Sequence, residues 1–150
     1  MSRFFKKLPV VYAHCDIPCG IYDPHRAQLA ALTVIRMADL LKEKKDTHNI
    51  VRLTAVKEEH AEICKQEIRI IWGDYFKAEH FVKYPEIDKL SHEIMQLSSK
   101  TRQSTDKEAA AELLRAVSRF AEIFWETKGV KTKRTKAPYE PMEEIVVPEL

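Results

Sequence analysis

At 150 residues and 17.5 kDa the chain is the size of one domain, and 45% apolar against 32% charged residues excludes both a disordered and a membrane-embedded chain. The 25 basic and 23 acidic residues leave a formal charge of only +2, too little for nucleic acid to be the main partner. Three glycines are too few for a sandwich, a barrel or a Gly-rich nucleotide loop, and three cysteines, an odd number, exclude a fully paired disulfide framework.

Residues 1–13, MSRFFKKLPVVYA, differ from the rest. Their only charges are positive, on Arg3, Lys6 and Lys7, and the segment ends on a small residue, Ala13. The apolar run from Leu8 to Ala13 falls short of the ~7–15 residues of a secretory core, and Pro9 interrupts it. Nothing approaches the ~20 apolar residues of a membrane span, so no membrane partner is expected. The segment reads either as a frayed terminus or as a propeptide removed after Ala13.

Asp23-Pro24 is a helix start, because Asp can cap and Pro suits the first helical position. A first helix to about Lys44 follows, with Ala27, Ala30, Val34, Met37 and Leu41 on one face. A second runs from about Ile50 to Trp72 on a seam of Leu53, Val56, His60 and Ile63, widened by Cys64, Ile68 and Ile71. Gly73 is a place to stop or bend, and the aromatic-rich stretch 73–84 reads as a structured connection. Pro85 opens a third helix carrying Ile87, Leu90, Ile94 and Leu97, and the polar stretch Ser98 to Thr105 reads as a loop. Thr105 or Asp106 caps a fourth, with Ala110, Leu113, Val117, Phe120 and Phe124 facing inward as far as about Lys128. Four amphipathic helices with short connections predict an all-α fold, an antiparallel up-and-down four-helix bundle over 24–128. An irregular segment, 14–23, precedes it. The C-terminal extension, 129–150, reads as an extended, flexible arm whose Ile145-Val146-Val147 run could pack on a neighbour.

The chemistry sits before the first helix, where His14 and Cys15 stand directly together and Cys19 follows. Cys-x-x-x-Cys alone leaves open a redox pair, half a zinc site, an incidental disulfide or chance. Cleavage after Ala13 adds another possibility. His14 would then gain a free amine. That amine, the Cys15 amide nitrogen and the Cys15 thiolate can chelate one metal, Cys19 can close a plane, and the His14 imidazole can bind axially. Such a strong-field, square-planar set favours Ni(II) or Cu(II) over zinc, and thiolates reduce Cu(II), which leaves nickel.

The stretch His14-Cys-Asp-x-Pro-Cys-Gly-x-Tyr-Asp-Pro24 resembles the nickel-binding hook of nickel-containing superoxide dismutases. The resemblance continues through Trp72-x-Asp-Tyr-Phe-Lys77, His80-Phe81, Tyr84-Pro85-Glu86 and Phe124-Trp-Glu-Thr-Lys128. It implies a metal site of His14, Cys15 and Cys19 with one nickel ion per chain. Superoxide would be disproportionated to O2 and H2O2 through a Ni(III)/Ni(II) couple, with Tyr22 and His14 at the reacting face. Pro18 would fix the turn through a cis peptide, Gly20 would allow a tight backbone approach, and Asp16 would brace the hook. The resemblance also implies a leader removed before the His by a separate maturation protease, and a homohexamer. The cytoplasm is the expected compartment, since the leader lacks a secretory core and thiolates survive there. A nickel- or copper-binding module without turnover is the alternative.

The sequence departs from the family pattern at two places. An acidic side chain from the first helix, which holds the axial imidazole, and an arginine from the second are expected by spacing at Ala30 and His60. The Ala30 side chain cannot accept a hydrogen bond. His60 either replaces the orienting group or is a core histidine with a local partner. Cys64 reads as a small buried thiol, and Lys77 and Lys83 as sources of positive potential for an anionic substrate.

Overall fold

A computed structural model describes residues 20–150; the leader and His14 to Cys19 lie outside the described residues. The chain forms α1 (His25–Glu43), α2 (Thr47–Ile70), a π-helical turn (Ile71–Tyr75), α3 (Ala78–Lys83), α4 (Ile87–Gln103), α5 (Lys107–Thr127), β1 (Thr132–Lys136) and β2 (Glu144–Pro148). The fold is an all-α bundle of α1, α2, α4 and α5 in which each helix packs on its two neighbours in the ring. Cross-helix pairs fix the directions. Arg26 at the start of α1 pairs with Glu67 near the end of α2 at 2.8 Å, and Lys107 at the start of α5 pairs with Asp39 near the end of α1 at 2.9 Å. The Trp72 indole N–H, just past α2, donates to Asp88 in the first turn of α4 at 2.8 Å. The bundle is therefore antiparallel, and one end collects the start of α1, the end of α2, the start of α4 and the end of α5.

The caps follow the sequence. Asp23 accepts from the His25 N–H at 2.8 Å. The Asp106 carboxylate accepts from the Glu108 and Ala109 N–H groups at the start of α5. Helix α2 begins earlier than its periodicity indicated, because Asp46 accepts from the Asn49 N–H at 3.0 Å.

The inward face of α2 departs from expectation. The buried residues are Lys57, Ala61, Cys64 and Ile68, so the seam lies one residue round from Leu53, Val56, His60 and Ile63. The cause is Lys57, which is 2% exposed. Its apolar stem fills core space while its ammonium donates to the carbonyls of Thr101 and Arg102 at the end of α4. The negative pole of α4 is the favourable place for that charge. Desolvation lowers the Lys57 pKa.

The polar stretch after Leu97 is helical to Gln103, not a loop. Two of its hydroxyls bond locally: Ser99 donates to the Met95 carbonyl at 3.1 Å and Thr101 to the Ser98 carbonyl at 2.9 Å. Thr101 can therefore be buried.

The C-terminal extension is likewise not a flexible arm. β1 and β2 pair antiparallel, Arg134 opposite Val146, and the hairpin lies on α1 and α5 with Ile145 and Val146 buried. The apolar run covers the chain's own core.

Replacing Lys57 by Met keeps the stem and deletes the ammonium, leaving the Thr101 and Arg102 carbonyls without their donor. Urea denaturation should show a loss of about 1–3 kcal/mol, and an unchanged midpoint would refute the capping role.

Candidate functional site

The hook ligands His14, Cys15 and Cys19, with Asp16 and Pro18, lie outside the described residues. What the structure gives is the platform onto which the hook runs. Gly20 adopts φ +72°, the left-handed region open to glycine. Among the described residues, nothing lies within 4 Å of where its Cβ would be. Among the described residues conformation is the visible reason for glycine here; the hook side of the tight approach expected from the sequence lies outside them.

Tyr22 is half-buried and packs on the core. Its ring lies 5.8 Å from that of Tyr75, tilted by 53°. Tyr75 is the hub of an aromatic cluster: His80 stacks on it at 5.5 Å and 11°, and Phe76 and Phe124 lie 5.2 and 4.7 Å away. The π-helical turn delivers Tyr75. There the Phe76 N–H reaches back to the Ile71 carbonyl at 3.4 Å, and the extra residue turns the chain at the end of α2.

Two hydrogen bonds settle which way the Tyr75 hydroxyl points. The Thr127 hydroxyl donates to the Phe124 carbonyl at 2.6 Å, so in the 2.7 Å contact between Tyr75 and Thr127 the proton comes from Tyr75. His80 is fixed as well, because its Nδ1 accepts from the Lys77 N–H at 3.0 Å. The Lys128 ammonium lies 4.8 Å from the centre of the Tyr75 ring and 5.1 Å from that of Phe124. Lys77 donates to the Asp74 carbonyl at 3.0 Å, and Lys83 lies over Tyr84 at 5.2 Å.

Of the two departures, Ala30 is buried. His60 is half-buried on the flank of α2, not in its seam, and its Nδ1 donates to the Val56 carbonyl at 2.9 Å. That bond places the ring proton on Nδ1, so neutral His60 has its acceptor at Nε2.

Cys64 is fully buried, and burial pushes its thiol up to about 12, against a smaller lowering by the Ser98 hydroxyl. It stays protonated and cannot serve as a thiolate ligand. Among the described residues no group of three or more His, Cys, Asp and Glu could hold a metal ion.

Spacing did not single out Thr127 and Lys128, which lie where the α5 seam fades. Their signal was the Phe124-Trp-Glu-Thr-Lys128 run, which only the resemblance picked out.

Comparison with known proteins supplies the family. A scan against family models matches residues 9–128 to nickel-containing superoxide dismutase. The chain is 38% identical over 128 residues to the proteins named superoxide dismutase [Ni] from Streptomyces seoulensis and Streptomyces coelicolor, covering 85% of this chain and 98% of each relative. A crystal structure of a Ni-containing superoxide dismutase after partial X-ray-induced reduction superposes with a TM-score of 0.75 at 38% identity, covering 77% of this chain and 99% of the other.

Thiol titration of the nickel-free protein checks the assignment of the cysteines. Cys15 and Cys19 should react with a disulfide reagent at neutral pH and Cys64 only after denaturation; rapid reaction of all three would contradict the burial of Cys64.

Proposed function

The chain belongs to the nickel-containing superoxide dismutase family and is an oxidoreductase, and we propose that it disproportionates superoxide at a nickel hook formed by His14, Cys15 and Cys19. The observation that carries this reading is the family match, which spans 9–128 and so includes the whole hook motif.

The donor set fits nickel. Of the three cysteines, Cys64 is buried as a thiol, which leaves Cys15 and Cys19 to supply thiolates. With the His14 amine and imidazole and the Cys15 amide nitrogen they form a strong-field set. Bound nickel supplies a one-electron Ni(III)/Ni(II) couple, by which one superoxide leaves as O2 and a second, taking up two protons, leaves as H2O2.

The chain's own residues do the rest. Pro18 sets the turn of the hook and Asp16 braces it. Tyr22, seated against Tyr75, screens the approach and passes protons from water. Lys128, Lys77 and Lys83 add positive potential for an anionic substrate. His60 offers its Nε2 as the acceptor that Ala30 lacks, directly or through water, and so orients the His14 imidazole. The mature enzyme begins at His14 after a separate protease removes 1–13, works in the cytoplasm and assembles as a homohexamer. Among the described residues no helix is long and apolar enough to cross a membrane.

Intact-mass and metal analysis of protein from its native host tests this. The expected result is a chain beginning at His14 with about one nickel, lost in Cys19→Ser and kept in Cys64→Ser. An intact Met1 with no metal would refute the hook, and a processed, nickel-loaded protein that does not consume superoxide would be a metal-binding module. Substituting His60 by Ala should shift the redox potential and lower turnover by about tenfold. If both stay as in the wild type, His60 is only a packing residue.

A further inference from the structure

Gln28 lies in the first turn of α1, directly after the hook, and is fully buried. A buried carboxamide needs partners for both its ends. Gln28 finds both on one residue of the C-terminal hairpin: Nε2 donates to the Val146 carbonyl at 2.9 Å, and the Val146 N–H donates to Oε1 at 2.7 Å.

The register explains why Val146 is available. Cross-strand bonds flank the ladder from the Ala137 N–H to the Glu143 carbonyl and from the Glu149 N–H to the Lys131 carbonyl. Alternation then makes Arg134 and Val146 a pair without mutual hydrogen bonds, so Val146 turns its N–H and C=O to the outer edge of β2. Gln28 closes that edge as a single residue of a third strand would. Pro148, which has no N–H, blunts its end.

The pairing reaches both sides of the site. The Gln28 N–H donates to the Pro24 carbonyl at 3.1 Å, so the clamped residue is bonded directly to the residue where the hook ends. At its root, the hairpin is tied to α5 by the Val130 N–H, which donates to the Trp125 carbonyl at 3.0 Å. That helix end carries Phe124, Thr127 and Lys128 against Tyr75. The family match stops at Lys128, so none of the hairpin falls within it.

We propose that the hairpin is a clasp that sets the first turn of α1, with Gln28 as the positioning residue, so that the hook retains its nickel in the right setting. The clasp rests on the reading of His14, Cys15 and Cys19 as the ligands. It adds an internal support to a metal site that stands at the chain's mature terminus.

The test uses the processed, nickel-loaded full chain. Gln28→Leu keeps bulk and strands both polar groups of Val146. Gln28→Glu keeps one acceptor and sets an oxygen against the Val146 carbonyl. Ile94→Val, a core change in α4, controls for a general loss of stability. In both Gln28 variants, amide exchange at 25–30 and 145–147 and transfer of nickel to a chelator should each speed by about tenfold or more. The EPR spectrum of the nickel should change too, while the control stays within about twofold of wild type. Unchanged exchange overturns the clasp. Faster exchange with unaltered nickel release and EPR overturns the positioning role, as does a control that matches the Gln28 variants. Should those variants fail to fold, the wild type decides. Its Val146 amide must exchange as slowly as the cross-strand amide of Val147, and exchange at the rate of an open edge overturns the proposal. A wild type that takes up no nickel overturns the reading of the ligands instead, and the exchange measurements still judge the clasp.

Discussion

The Pro24 carbonyl accepts the first hydrogen bond of α1, from the Gln28 N–H at 3.1 Å, and there an irregular chain becomes a rigid rod. Three further ties hold the same turn. Asp23 caps it, Arg26 joins it to the end of α2 through Glu67, and Gln28 joins it to the hairpin. The Arg26–Glu67 pair is largely open on the arginine side and contributes little energy, but it fixes direction. The buried amide pairing has the opposite character. Breaking one partner would strand polar groups away from water, so the arrangement is held by the cost of its alternatives. Whatever the hook does, it does from a base that α2, α5 and the hairpin all constrain.

The two largest buried polar side chains find backbone partners, not opposite charges. Lys57 takes the last carbonyls of α4, and Gln28 takes one peptide of β2. A buried carboxylate in either place would add a second desolvation cost. Carbonyl partners at a helix end are already dipolar and already in need of donors. This solution also sets the rotation of α2. With Lys57 turned inward, Cys64 comes to the centre of the seam and His60 moves to the flank. His60 is thereby partly accessible, while Cys64 is sealed off as a thiol.

Much of this was legible because apolar spacing carries it. The α5 seam of Ala110, Leu113, Val117, Phe120 and Phe124 is buried as read, and Asp23-Pro24 and Asp106 mark real helix starts. The failures share one physical cause: polar side chains that turn inward. Thr101 and Lys57 look like loop or surface residues until their backbone partners are known, and those partners are distant in sequence or hidden in the same turn. The hairpin was missed for a related reason. Its strand β1, Thr-Lys-Arg-Thr-Lys, has no apolar face, and β2 is buried by packing on α1 and α5, where Gln28, far away in the chain, receives Val146. At the site, the hook motif was readable as chemistry, and Tyr75 and Lys128 stood in motifs of the resemblance, whereas their contact with each other needed the fold, which brings the turn after α2 and the end of α5 to one end of the bundle.

The platform also divides labour between its two tyrosines. Thr127 gives its proton to the Phe124 carbonyl, so Tyr75 must donate to Thr127, and its hydroxyl can then only accept from the hook side. In the proposed reaction the peroxide needs protons, and Tyr75 is the wrong group to give them. It is well placed to keep Tyr22 in position and to accept a hydrogen bond from a water or from Tyr22 itself. On the proposed reading, proton delivery then falls to Tyr22, the residue of the pair that lies on the hook segment. Its seat is rigid because Tyr75 is locked at the hydroxyl by Thr127 and stacked on its face by His80.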